Sequence, residues 1–242
     1  MSDQERAVKF CKRILPKVSR SFALTIPMLD DELHLPVLIA YLQDRLLDNF
    51  EDEISDDDIS LSERRQMMDC VVKLFNPGYS GVDDYNIKEL VEKIKNYRGL
   101  MPEKSLQKLT ANAALIRRAY DTLEEKIKEI SYKWIREMNQ GMQKYLVQGV
   151  ESFADLDQYC YYVAGTVGGF LTDTVIYKGD SDEKSRNILL ENYNASGLFL
   201  QKINIIRDIK KDLESRDKHF WPLKSLEITA EELLDKANRE RA

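Results

Sequence analysis

Apolar residues recur at three- and four-residue intervals through most of this 242-residue chain, the spacing that lines one face of an α-helix. Ten glycines and six prolines leave too few turn signals for a β-rich fold, and 32% charged residues suit long helices with solvated faces. The periodicity predicts helices near 4–15, 17–28, 31–53, 60–75, 86–98, 103–138, 139–149, 155–177, 182–213 and 230–240. Pro16, Pro27 and Pro36 read as helix starts or breaks, Asn76-Pro77-Gly78 and Lys178-Gly179-Asp180 as turns, and Asp155 and Ser181 as N-caps. Trp134, Phe153 and Phe199 read as core, and His219-Phe-Trp221-Pro222 as a packed segment following a helix. With no repeat, low-complexity stretch or linker, the expected architecture is all-α, a single domain over 1–242.

Several classes of function fall away on composition. Net charge is −6 and basic residues are not interleaved with aromatics, which argues against a nucleic-acid partner. Cys11, Cys70 and Cys160 are odd in number and far apart, so a reducing compartment is expected rather than a disulfide framework. Two histidines, His34 and His219, are too few for a His/Cys zinc site, so a metal here would be held by oxygen: Mg²⁺, Mn²⁺ or Ca²⁺. The polar N-terminus lacks a signal-peptide core, and no apolar run is long enough to span a bilayer. A cytoplasmic protein is expected, with peripheral membrane contact as a route to a greasy substrate.

Three stretches carry the chemistry. In Tyr41-Leu-Gln-Asp-Arg45-Leu-Leu-Asp48-Asn-Phe-Glu51-Asp52-Glu53, helical spacing puts Tyr41, Arg45, Asp48 and Asp52 on one stripe. Carboxylates one turn apart repel by about 0.2–0.5 kcal/mol unless a cation intervenes, and Mg²⁺ favours one or two carboxylates completed by phosphate oxygens. The alternative is a solvated acidic face running into the acidic loop that holds Asp56, Asp57 and Asp58. In the second stretch, Gln201, Asn204, Asp208 and Asp212 share a stripe of an otherwise apolar helix, where they would serve a metal or a buried salt-bridge network. In the third, Tyr159-Cys-Tyr-Tyr-Val163-Ala-Gly165-Thr-Val-Gly168-Gly-Phe, glycines that each cost about 1 kcal/mol in a helix call for close packing, a kink or room for a ligand. Ser19-Arg20-Ser21-Phe22 adds two hydroxyls and a guanidinium near a helix start, a phosphate-anchor pattern.

Together these stretches resemble the squalene/phytoene synthase family over about Ser19 to Pro222, in the family's order. Asp48-Asn-Phe-Glu-Asp52 is similar to its first aspartate-rich motif, Tyr159 to Gly168 to its tyrosine-glycine signature, and Gly197 to Asp208 to the approach to its second aspartate-rich motif. Phe-Leu-Gln201-Lys-Ile-Asn204-Ile-Ile-Arg207-Asp208 and Phe220-Trp221-Pro222 lean toward the squalene-forming branch. Two positions depart from the pattern. Lys211 stands where the family has Glu, and Lys218 where it has Arg.

The resemblance implies an isoprenoid-synthase helical bundle around a central cavity, taking two prenyl diphosphates. It implies Mg²⁺ (or Mn²⁺) on Asp48, Asp52, Asn204, Asp208 and Asp212, and NADPH where squalene is the product. Tyr159, Arg45, Gln201 and Lys218 would be catalytic. Ser19, Arg20, Ser21, Phe22, Tyr41, Arg45, Val163, Gly165, Gly168 and Arg207 would bind substrate. Residues 231–242 read as a helix cut off in mid-course, so further C-terminal helices are expected. A phytoene or dehydrosqualene synthase without NADPH, and a non-catalytic relative serving in binding or assembly, are the alternatives.

Overall fold

The computed structural model describes residues 1–19, 21–179, 182–215 and 220–239, and every regular element among them is helical. Contacts divide the chain into two compact units: Met1–Asn139 with Asp173–Asp180, and Gln140–Thr172 with Ser181–Ala242. The first unit holds α1 (Asp3–Val18), α2 (Phe22–Thr25), α3 (Asp31–Asp48), α4 (Leu61–Leu74), α5 (Tyr85–Asn96), α6 (Lys104–Ala111) and α7 (Ala113–Tyr120). It also holds the start of α8 (Glu125–Gln148). The second unit takes the rest of α8, with α9 (Phe153–Cys160), most of α10 (Thr166–Lys178), α11 (Glu183–Ser215), α12 (Leu223–Leu226) and α13 (Ala230–Arg239).

In the first unit, α1 begins at a capping box. The Ser2 hydroxyl accepts the Glu5 N–H, and the Glu5 carboxylate accepts the Ser2 N–H. Its buried positions Ala7, Cys11, Ile14 and Leu15 form one helical face, and α1 packs on α3 and α7. Pro16 and Pro36, expected at starts or breaks, lie inside α1 and α3. A proline there costs about 3 kcal/mol. Burial of neighbouring Leu15, Leu38, Ile39 and Leu42, at about 1.5–3 kcal/mol each, outweighs that cost.

The expected helix over 103–138 is three helices. The backbone leaves the helix at Asn112, and again at Asp121, whose carboxylate accepts from Arg117 Nε at 2.7 Å and from the Val82 N–H at 3.0 Å. Apolar periodicity runs on because all three helices face the same core, so the pattern does not show the breaks. The boundary expected at 139 is absent: α8 continues to Gln148 and ends at Gly149, whose φ is 68°. The segment 17–28 is also broken, with α1 ending at Val18 and a 3₁₀ turn, Ile26–Met28, following α2.

In the second unit, Ser152 rather than Asp155 caps α9, and Asp155 is the reciprocal acid of that capping box. Ser181 lies outside the described residues. Tyr145, Val150, Leu156, Tyr159, Cys160 and Ile205 form a buried cluster with Phe220 and Trp221 packed against it. Trp134 is buried in the first unit, whereas Phe153 and Phe199, expected in the core, are 52% and 64% exposed. No described helix is long and apolar enough to cross a membrane.

Candidate functional site

Two of the three motif stretches, those at Asp48 and at Tyr159, contain a π-turn, a widened turn that rotates the side chains following it and recurs at functional sites. In the first unit, the helix expected over 31–53 is α-helical only to Asp48; Asn49–Glu53 is a π-turn. Tyr41, Arg45 and Asp48 thus keep α register, and Asp52 enters from the widened turn. Arg45 joins the two ends, its Nη1 3.0 Å from Asp48 Oδ2 and its Nη2 2.8 Å from Glu53 Oε1. The Tyr41 hydroxyl donates to the Val18 carbonyl at 3.1 Å, and its ring lies 5.4 Å from that of Phe22. Ser19 caps the end of α1 and Ser21 precedes the four-residue α2. Arg20 lies outside the described residues, as does Lys218.

Two further carboxylates of the same stretch, Asp44 and Glu53, belong to this cluster although the expected stripe did not include them. Asp44 lies one helical turn before Asp48, a signal that the same four-residue spacing carried. Burial first, and then the charge of Asp48, pushes its carboxyl up to about 8. Asp48 is also raised, by burial; Arg45 opposes that shift and the charge of Asp52 adds to it. These acids are thus crowded against one another, and Asp48 remains 38% exposed and reachable from solvent.

Burial of Asp44, reinforced by the charge of Asp48, bears on stability. An unfolded aspartate titrates near about 3.9. Between that value and about 8 the unfolded chain ionises Asp44 while the folded chain keeps its proton, so the group costs stability as pH rises through this window. In metal-free buffer, Asp44→Asn is therefore expected to melt above the parent at pH 7, by about 2–4 °C per kcal/mol relieved. The gap should close below about pH 4, where both states are protonated. Circular-dichroism melts across that range check it.

In the second unit, α9 passes through the π-turn Tyr161–Gly165 into α10, so the helix expected over 155–177 is interrupted. Tyr159 is 3% exposed. The Phe220 ring stacks on it at 4.9 Å, and the Tyr145 ring meets it edge-on at 5.5 Å. Val163 packs on the same cluster. The π-turn lies against α11. A Cβ on Gly165 would fall 2.3 Å from Asn194 Oδ1, and one on Gly168 would fall 2.1 Å from the Tyr193 carbonyl oxygen. Close packing against α11 accounts for Gly165 and Gly168, and the helix is interrupted by the π-turn at Gly165.

Helix α11 mixes polar and apolar residues on both faces, with Ile205 and Ile209 buried beside the polar stripe. Gln201, Asn204 and Asp208 are half-buried and Asp212 is buried, while Phe199, Leu200, Ile203 and Ile206 are 46–64% exposed. Arg207 is exposed and forks onto Asp208, with Nε–Oδ1 at 3.0 Å and Nη2–Oδ2 at 2.7 Å. Lys202 pairs with Asp157 at 2.5 Å.

Among the described residues no three His, Cys, Asp or Glu side chains are grouped to hold a metal by themselves. The donors present suit a cation that arrives with a phosphate-bearing substrate. Asp48 and Asp52 offer two neighbouring carboxylates, and Asn204, Asp208 and Asp212 offer spaced oxygens on one helix. Mg²⁺ takes one or two carboxylates and completes its shell with substrate phosphates and water. The residues fit Mg²⁺ in that mode.

The squalene/phytoene synthase family model matches residues 15–242. Squalene synthase from Yarrowia lipolytica is 31% identical over 97% of this chain and 50% of its own length. Inactive squalene synthase 2 from Arabidopsis thaliana is 31% identical over 98% of this chain and 53% of its own. The solved complex of TcSQS with the ligand E5700 aligns at a TM-score of 0.74 and 32% identity, covering 92% of this chain and 59% of that one. This all-α chain belongs to the squalene/phytoene synthase family. It spans about half the length of the curated relatives it matches.

Proposed function

We propose that this chain belongs to a Mg²⁺-dependent synthase that joins two farnesyl diphosphates head to head, through a cyclopropyl diphosphate, to squalene. The stripe Gln201, Asn204, Asp208 and Asp212, half-buried to buried on a helix that leaves Phe199, Leu200, Ile203 and Ile206 exposed, carries the reading. In this reading the α3 and α11 motifs share the diphosphates and 1–242 acts as one domain.

Mg²⁺, when bound through Asp48, Asp52, Asn204, Asp208 and Asp212, would supply charge neutralisation at the departing diphosphate. Arg45 pairs with Asp48, and Arg207 and Lys218 would add positive charge where the leaving group's charge develops. Ser19, Arg20, Ser21, Phe22 and Tyr41 would serve the diphosphate. The C1–O bond of the donor breaks with its electron pair on the diphosphate. The acceptor's double bond then attacks the allylic cation, and loss of a proton closes the cyclopropane. Tyr159, with Gln201, steers that proton, and the Tyr145–Phe220 setting fixes its ring. Val163, Gly165 and Gly168 shape the wall, and apolar surroundings keep water from quenching the cation. A second ionisation and a hydride from NADPH would complete squalene. No residue is assigned to NADPH, and the described residues contain no strand–turn–helix dinucleotide unit.

Incubation with labelled farnesyl or geranylgeranyl diphosphate and Mg²⁺, with and without NADPH, tests the reading. Squalene that forms only with NADPH supports it. Dehydrosqualene, or phytoene from the longer substrate, would replace the product named. Absence of any diphosphate release would favour a non-catalytic role, to which Lys211 and the similarity to an inactive relative point.

A further inference from the structure

We infer that Arg64 is a positioning residue that sets the first aspartate-rich motif for its cation; this rests on the metal-binding reading of Asp48 and Asp52. Arg64 lies in the first turn of α4, and its side chain is only 2% exposed. Its Nη1 donates to the carbonyls of Phe50 at 2.8 Å and Glu51 at 3.0 Å. Its Nη2 donates to the Ile54 carbonyl at 2.8 Å and to Asp56 Oδ1 at 2.6 Å. The three carbonyls bracket Asp52 in sequence, so one rigid guanidinium fixes the backbone on both sides of that carboxylate.

The need for such a clamp follows from the turn. A helix end leaves its last carbonyls without intrahelical donors. Here the π-turn runs into extended backbone at Ile54 while Phe50 and Glu51 stay buried, where water is a poor substitute. A second tie reaches the turn from α6, where Asn49 Nδ2 donates to Thr110 Oγ1 at 3.1 Å. Burying an arginine whose carboxylate partner, Asp56, is 80% exposed is costly. Planar, five-donor geometry suits this three-carbonyl site, whereas an ammonium could serve only part of it.

The test uses Arg64→Met and Arg64→Lys in the full chain, with Mn²⁺ and inorganic diphosphate as probes. Bound Mn²⁺ is read by electron paramagnetic resonance, helicity by circular dichroism, and backbone opening by amide exchange over 49–54. Arg64→Met is expected to weaken Mn²⁺ binding about 10- to 100-fold at unchanged helicity, the usual cost of losing a group that orients a metal ligand. Exchange should quicken over 49–54 while α11 keeps its protection, and Arg64→Lys should fall between parent and Arg64→Met. Wild-type Mn²⁺ affinity in folded Arg64→Met overturns the inference. If that variant does not fold, unchanged affinity in Arg64→Lys overturns it instead. Asp48→Asn separates the two claims. Should it leave Mn²⁺ binding intact, the metal reading fails and the role of Arg64 with it. Should it abolish binding while the Arg64 variants keep it, only the Arg64 inference falls.

Discussion

Asp48→Asn is expected to lower Mg²⁺-dependent release of diphosphate by about 100- to 1,000-fold, the range seen when one preorganised stabiliser of developing charge is removed. Asparagine is nearly isosteric and keeps one oxygen, so packing at the end of α3 is preserved. Arg45 loses a charged partner at 3.0 Å but retains Glu53 at 2.8 Å. Removing one charge also relieves the crowding among Asp44, Asp48 and Asp52. The variant should therefore melt at or above the parent temperature in metal-free buffer while losing activity. A structural carboxylate would show the opposite, with lower melting temperature and activity falling only with the folded fraction. Paired measurements of melting and of released diphosphate distinguish the two.

Gly197→Ala is the second large effect. On an open helical surface this change gains about 1 kcal/mol. At Gly197 the new Cβ would lie 2.5 Å from the Ala164 carbonyl oxygen and 2.8 Å from the Gly165 nitrogen, both backbone atoms of the second π-turn. Backbone cannot rotate aside as a side chain can, so α11 and the π-turn must separate. Overpacking of this kind costs about 1–3 kcal/mol, enough to reverse the propensity gain. Gly99→Ala supplies the contrast, because nothing lies within 4 Å of its added Cβ. It should stay within about 0.5 kcal/mol of the parent or gain slightly. Urea titration of the three proteins measures both.

Much of this organisation was legible because helices that pack on one core repeat their apolar residues at a fixed period. The same regularity hid the interruptions. Asp121 breaks a continuous pattern where its carboxylate meets the Val82 N–H, far along the chain, and Asn112 breaks it with a local bond to the Lys108 carbonyl that apolar spacing does not show. Both π-turns fall within unbroken apolar spacing, so the register of Asp52 relative to Asp48 could not be read from their offset. The boundary expected at 139 is absent: α8 runs through it, and Gly141 leaves the space that the Tyr162 ring fills where a Cβ would lie. The motif acids were visible through spacing, and Asp44 could have been added by the same rule. Arg64 carried no signal: in the polar first turn of α4 it reads as a solvated charge, and only the carbonyls of a segment ten to fourteen residues earlier give it a reason to be buried. Phe153 and Phe199 misled in the other direction, since residue type alone does not say which face of a helix is covered.

The most direct test of the central claim is a crystal structure of the protein with Mn²⁺ and a non-ionising thio analogue of farnesyl diphosphate, phased to show the metal by its anomalous scattering. The expected map has metal on the diphosphate oxygens, contacted on one side by Asp48 and Asp52 and on the other by donors of α11, among them Asp208. Metal held by only one of the two motifs, with the other motif's carboxylates turned into bulk solvent, would contradict it.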